Sequence, residues 1–149
     1  MNGRYPNRDE IRRWIQQESN EGARVAAVRS LIKYAASSDV RVAVIQVLQE
    51  DSSSTVRIAA AQCLGEFKSS DRCRIALTEA LEDERQSVTV RAAVAKALAK
   101  HLGGLLVDSA LRRAAQSSHP PIQQSARQAL AELQSEELSL PATHIRTKP

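Results

Sequence analysis

Val56-Arg57-Ile58-Ala59-Ala60-Ala61-Gln62-Cys63-Leu64-Gly65-Glu66-Phe67 is the stretch on which the reading of this chain turns, because it recurs. Thirty-three residues earlier stands Ala23-Arg24-Val25-Ala26-Ala27-Val28-Arg29-Ser30-Leu31-Ile32-Lys33-Tyr34. Thirty-four residues later comes Val90-Arg91-Ala92-Ala93-Val94-Ala95-Lys96-Ala97-Leu98-Ala99-Lys100-His101, and after another thirty-two Ile122-Gln123-Gln124-Ser125-Ala126-Arg127-Gln128-Ala129-Leu130-Ala131-Glu132-Leu133. Positions 1, 4, 5, 8, 9 and 12 of the twelve share one side of a helix with 3.6 residues per turn. In the second copy these are Val56, Ala59, Ala60, Cys63, Leu64 and Phe67, the expected core face. A unit this short cannot bury its own apolar face, so copies at this period stack on one another.

The segments between the copies supply a second set of helices. Asn7 is placed to cap a helix, with Glu10 three residues on in the capping-box position. That helix should run from Arg8 to Gln17, with Ile11, Trp14 and Ile15 on one face. Residues 18–22 then form a turn, and the first copy makes a helix from about Ala23 to Ala36. Ser37-Ser38-Asp39 and Ser69-Ser70-Asp71 each offer an N-cap to helices over Val40 to Glu50 and Arg72 to Glu82. Gly103-Gly104 separates the third unit from the fourth. A helix from Leu105 to Gln116 follows, and the last helix should fray near Glu136. No stretch alternates with the period of a strand.

The expectation is an all-α chain of eight helices in four antiparallel pairs, an α-solenoid with right-handed connections. The repeats span about 8–37, 38–69, 70–102 and 103–136, after a lead at 1–7 and before a flexible tail at 137–149.

Composition agrees with close helix packing. The chain of 149 residues is 42% hydrophobic but 3% aromatic, so small side chains dominate. The formal charge of +4 is a mild excess, short of the basic footprint of a dedicated nucleic-acid binder. Two cysteines do not make a disulfide framework. No apolar run approaches membrane length and no secretory leader pattern opens the sequence. A cytoplasmic, membrane-free setting is therefore the expectation.

Asp51, Val56-Arg57, Ala59-Ala60 and Leu64-Gly65, with Val90-Arg91, Ala92-Ala93 and Leu98 in the next copy, resemble HEAT repeats of the short, bilin-lyase-like kind. The resemblance spans about Arg8 to Leu133 and implies that the second helix of each pair lines a concave face. It also implies a range of roles, from plain scaffolds to bilin lyases, antenna chaperones, DNA-repair relatives and a di-iron hydroxylase. The hydroxylase pattern needs His-Glu pairs, whereas here His101 precedes Leu102, His119 precedes Pro120 and His144 precedes Ile145.

Away from the core face, positions 3, 6 and 10 carry Val25, Val28 and Ile32, then Ile58 and Ala61, then Ala92, Ala95 and Ala99. An exposed apolar stripe marks an interaction surface, and the alternative is that helix packing wraps further round. Position 7, with Arg29, Gln62, Lys96 and Gln128, would rim it with polar groups. The candidate partner-binding residues are Val25, Val28, Arg29, Ile32, Ile58, Gln62, Ala92 and Lys96. Arg24, Arg57 and Arg91 repeat at position 2, where they either grip phosphates or pair with turn carboxylates such as Asp51 and Asp83 and with neighbouring carbonyls. Cys63 reads as a buried apolar residue. Arg72 and Arg74 flank Cys73 and would lower its pKa. Trp14 either caps the core at the chain's first helix or anchors a partner.

No catalytic constellation, metal-ligand spacing or Gly-rich phosphate loop is present, and no cofactor is implied by the residues. The first reading is a non-enzymatic scaffold binding another protein, or a second copy of itself, on the concave face. The alternative is a bilin-lyase-like or antenna-associated chaperone acting on a tetrapyrrole or its carrier. The third is nucleic-acid binding through the Arg-rich surface.

Overall fold

The computed structural model describes residues 5–101 and 104–140. Among these residues there are eight α-helices and no strand: α1 (Arg8–Gln17), α2 (Glu21–Ser30), α3 (Ser38–Glu50), α4 (Ser54–Glu66), α5 (Asp71–Glu82), α6 (Val88–Leu98), α7 (Leu105–Ala114) and α8 (Pro120–Ser139). Six of them start on a side chain that accepts a hydrogen bond from a first-turn N–H, from Asn7, Asn20, Ser37, Ser53, Ser70 and Ser87. Each such cap satisfies one of the N–H groups that a helix start leaves without a partner. Asn7 and Glu10 complete the expected capping box.

Two helix ends depart most from expectation. The second helix gives way at Ser30 to a 3-10 turn, Leu31–Tyr34, rather than continuing to Ala36. Ser30 Oγ donates to the Ala27 carbonyl (2.7 Å), a back-bond that competes with the helical ladder and bends it. At the other end, α8 continues past Glu136 to Ser139. Leu102, Gly103, His144, most of the N-terminal lead and residues 141–149 lie outside the described residues.

The helices form two layers. The first helices of the pairs, α1, α3, α5 and α7, neighbour one another in chain order, and so do the second helices α2, α4, α6 and α8. Packing within the second-helix layer is much the more extensive. Small residues permit it. A Cβ on Gly65 of α4 would stand 3.1 Å from the Ala97 Cβ of α6.

The apolar residues between the layers make one continuous core from Ile11 to Leu133. Val56, Ala59, Ala60, Cys63, Leu64 and Phe67 are all buried in it, as the helical wheel predicts. Position 12 closes each repeat with Tyr34, Phe67, His101 or Leu133. His101 is 1% exposed and its Nε2–H donates to the Leu64 carbonyl (2.9 Å). This bond satisfies one of the two ring nitrogens.

Candidate partner-binding surface

Three of the expected stripe residues are sealed inside the fold. Val28, Ala61 and Ala95, all at position 6, are 0% exposed, and Ala99 at position 10 is buried as well. Val28 therefore lies in the core and not on a free surface. The reason is the number of sides on which a second helix is covered. The α4 helix packs on α2, α3, α5 and α6, so its apolar arc is wider than a wheel drawn for a single seam. Val25, Ile58 and Ala92 are half-buried, with Val25 and Ile58 packed against the core. Ile32 alone of the large stripe residues is exposed, at 39%.

What the second helices present to solvent is their polar row. Arg29, Gln62, Lys96 and Gln128 occupy the same position in four successive repeats, and all four are exposed. Lys33 and Lys100 lie one turn further along, and Lys100 pairs with Glu66 of the preceding repeat. The face is thus a basic and amide-bearing strip with a partly covered apolar floor.

The position-2 arginines serve the fold. Arg24 forks onto Asp51 through Nε (3.2 Å) and Nη2 (3.3 Å), with the two side chains 14% and 10% exposed. Arg57 donates to the Asp51 carbonyl and to Ser54 Oγ (2.9 Å). Among the described residues its Nε is buried without an acceptor. Arg91 Nε donates to the Leu81 carbonyl (2.8 Å). Asp83 is taken by Arg85, beside it in the same turn, and not by Arg57. That neighbour holds the Asp83 carboxyl below its ordinary pKa.

Neither thiol is poised for chemistry. Burial pushes Cys63 up to about 12. Burial also raises Cys73, outweighing the Ser70 hydrogen bond and the nearby Arg41 and Arg72. The flanking cations that the sequence offered for activation therefore lose to desolvation. Trp14 is 48% exposed and stands outside the core cluster, which Ile11 and Ile15 reach from α1. Exposed Leu105, Leu106, Ile75 and Leu138 carried no signal in the repeat pattern. Their only sequence cue is an apolar residue among polar ones on a first helix or chain end. Among the described residues no group of three His, Cys, Asp or Glu side chains is placed to hold a metal ion. None of the described helices is long and apolar enough to cross a membrane.

Paired helices, a shared capping scheme and a second-helix layer in register describe a repeat array, and the family model for HEAT repeats matches residues 42–131. The chain belongs to the HEAT-repeat family. No curated protein matches it. The matched segment begins within α3 and ends within α8, so it takes in the Arg57 and Arg91 turns and three of the four polar-row residues. HEAT repeats in general mediate protein–protein interaction. The short-repeat, bilin-lyase-like subtype is a finer assignment than the family match.

Proposed function

We propose that this HEAT-repeat chain is a non-enzymatic scaffold that docks another protein, or a second copy of itself, along the exposed face of its second helices. The observation that carries the reading is the row Arg29, Gln62, Lys96 and Gln128, exposed at one equivalent place in four repeats. Such a row repeats at the spacing of the solenoid, which suits an extended partner segment touching each repeat in turn. The tighter packing of the second-helix layer supports placing this face on the concave side, because the layer with closer axes is the inner one of a curved array. Ile32 with half-buried Val25, Ile58 and Ala92 would supply the apolar contacts, and the basic row would favour a partner carrying acidic residues.

The test is a pair of charge reversals. Arg29→Glu with Lys96→Glu alters the row. Arg12→Glu with Arg72→Glu alters exposed cations of the first helices. A protein captured from the native source by the parent and by the first-helix variant, yet lost by the row variant, supports the reading. Equal capture by all three overturns it. The same preparations discriminate the alternatives. A tetrapyrrole function predicts new visible absorbance on mixing with bilin. Nucleic-acid binding predicts affinity that falls steeply with salt. The internal bonds of Arg24, Arg57 and Arg91 weigh against a phosphate-gripping ladder.

A further inference from the structure

The turn inside each of the last three repeats is built on one local device. Asp51 Oδ1 accepts from the Ser53 N–H (2.9 Å), Asp83 Oδ1 from the Arg85 N–H (3.0 Å) and Ser117 Oγ from the His119 N–H (3.2 Å). In all three the side chain bonds the backbone two residues on, and Asp51 and Ser117 hold equivalent places, each two residues before the N-cap of the next helix, whereas Asp83 stands further from its cap, Ser87.

They differ in what they offer the arginine of the preceding repeat. Asp51 receives the fork of Arg24 on both oxygens. Asp83 is bonded by Arg85, and Arg91 is near enough for its charge to act on the same carboxyl without a hydrogen bond to it. Ser117 has a hydroxyl where the others have a carboxylate. Arg91, the counterpart of Arg24, is left with its Nε on the Leu81 carbonyl and borders a cleft of about 770 Å³ shared with Ser117, His119, Arg113, Glu82 and Glu84. Glu82 is bonded to Arg113. Among the described residues Glu84, which is exposed, forms no bond to Arg91.

A half-buried guanidinium is a rigid, permanently charged fork matched to a carboxylate. In this chain the first repeat boundary fills that place internally, and the last leaves it open to a cleft. We propose that Arg91 receives a carboxylate in trans: an Asp or Glu side chain of a partner protein takes, beside Ser117, the place that Asp51 takes for Arg24. This site lies on the turn edge and does not depend on the second-helix face, so either can fail without the other.

The full chain, labelled with nitrogen-15, is titrated with acetyl-Gly-Asp-Gly-amide while the Arg91 Nε–H and His119 backbone resonances are followed. The expected result is a saturable shift of both, absent with acetyl-Gly-Asn-Gly-amide and lost in Arg91→Gln. Ser117→Asp places the missing carboxylate in cis. It should abolish the peptide-induced shift and raise the melting temperature, and the gain should vanish when Arg91→Gln is added. Should Arg91→Gln fail to fold, Ser117→Asp alone carries the test. No shift with the Asp peptide, or a shift that survives Ser117→Asp, overturns the proposal. An equal response to inorganic phosphate overturns the carboxylate assignment. A response to acetyl-Gly-Gly-Gly bearing a free C-terminal carboxylate, without one to the Asp peptide, overturns the side-chain source.

Discussion

Gly65 and Ala97 set the approach of α4 to α6: a Cβ at Gly65 would lie 3.1 Å from the Ala97 Cβ and 3.2 Å from its Cα. The obstructing atoms are the Cβ, Cα and carbonyl oxygen of Ala97, all fixed to a helix backbone that cannot swing aside as a long flexible side chain would. Gly65→Ala gains about 1 kcal/mol of helix propensity against about 1–3 kcal/mol for overpacking a tight contact. The expected outcome is a lower denaturation midpoint in urea, with a net loss of up to about 2 kcal/mol. A variant more stable than the parent would show that the two helices are free to separate.

Asp51 ties the first repeat to the second. Its carboxylate takes the Arg24 fork and the Ser53 N–H, and its carbonyl takes Arg57. Asp51→Ala leaves Arg24 half-buried without its counter-charge. Hydrogen bonds to charged groups contribute about 1.5–3 kcal/mol, so a loss of roughly that size is expected. The damage should appear first in α1 and α2, because each repeat of a linear array leans only on its neighbours. Hydrogen exchange checks this, and uniform loss of protection across all eight helices would contradict it.

His101 makes stability depend on acid. Burial holds the imidazole below its ordinary value of 6.5, helped by the charges of Arg74 and Lys68 and opposed by the Leu64 carbonyl bond. The folded chain therefore resists a proton that the unfolded chain accepts. Its contribution is fully present above pH 6.5 and is lost as the pH falls from there through the lower folded value. His101→Phe puts at position 12 the kind of side chain that Phe67 and Tyr34 already supply there. Thermal melts between pH 7.5 and 5 should show a shallower pH slope in the variant. An unchanged slope would locate the acid sensitivity elsewhere.

Both thiols should be silent in the native state. Cys63 and Cys73 are 0% exposed and burial raises both pKa values, Cys63 to about 12. At pH 8 an aromatic disulfide reagent should react at the rate of global unfolding, and both cysteines should react together once denaturant is added. Rapid labelling of Cys73 alone would mean that the start of α5 opens locally.

Much of this was legible in the chain itself. Caps, helix periods and the core face of the repeated stretch are local properties, carried by side chains within a few residues of one another. Asn7 with Glu10, the caps at Ser37 and Ser70, and the core-face residues Val56, Ala59, Ala60, Cys63, Leu64 and Phe67 fell where the pattern put them. The candidate surface was only half legible. The polar row of Arg29, Gln62, Lys96 and Gln128 could be read from repeat alignment, since a charge or amide recurring at one wheel position seldom faces a core.

The neighbours of each helix could not be read in this way. Val28, Ala61 and Ala95 are buried because other helices cover α2, α4 and α6 on several sides, α2 by α1 and α4, and α4 and α6 by a second helix on either side, and a wheel drawn for one helix holds no information about how many sides are covered. Asp83, by contrast, pairs locally with Arg85, two residues on in the same turn, and not with Arg57. Sequence determined the repeat, its caps and its inward face, because these depend on local periodicity. Tertiary stacking alone decided how wide the buried arc is and that Arg24 meets Asp51, 27 residues along the chain, because these depend on groups of different repeats coming within bonding range.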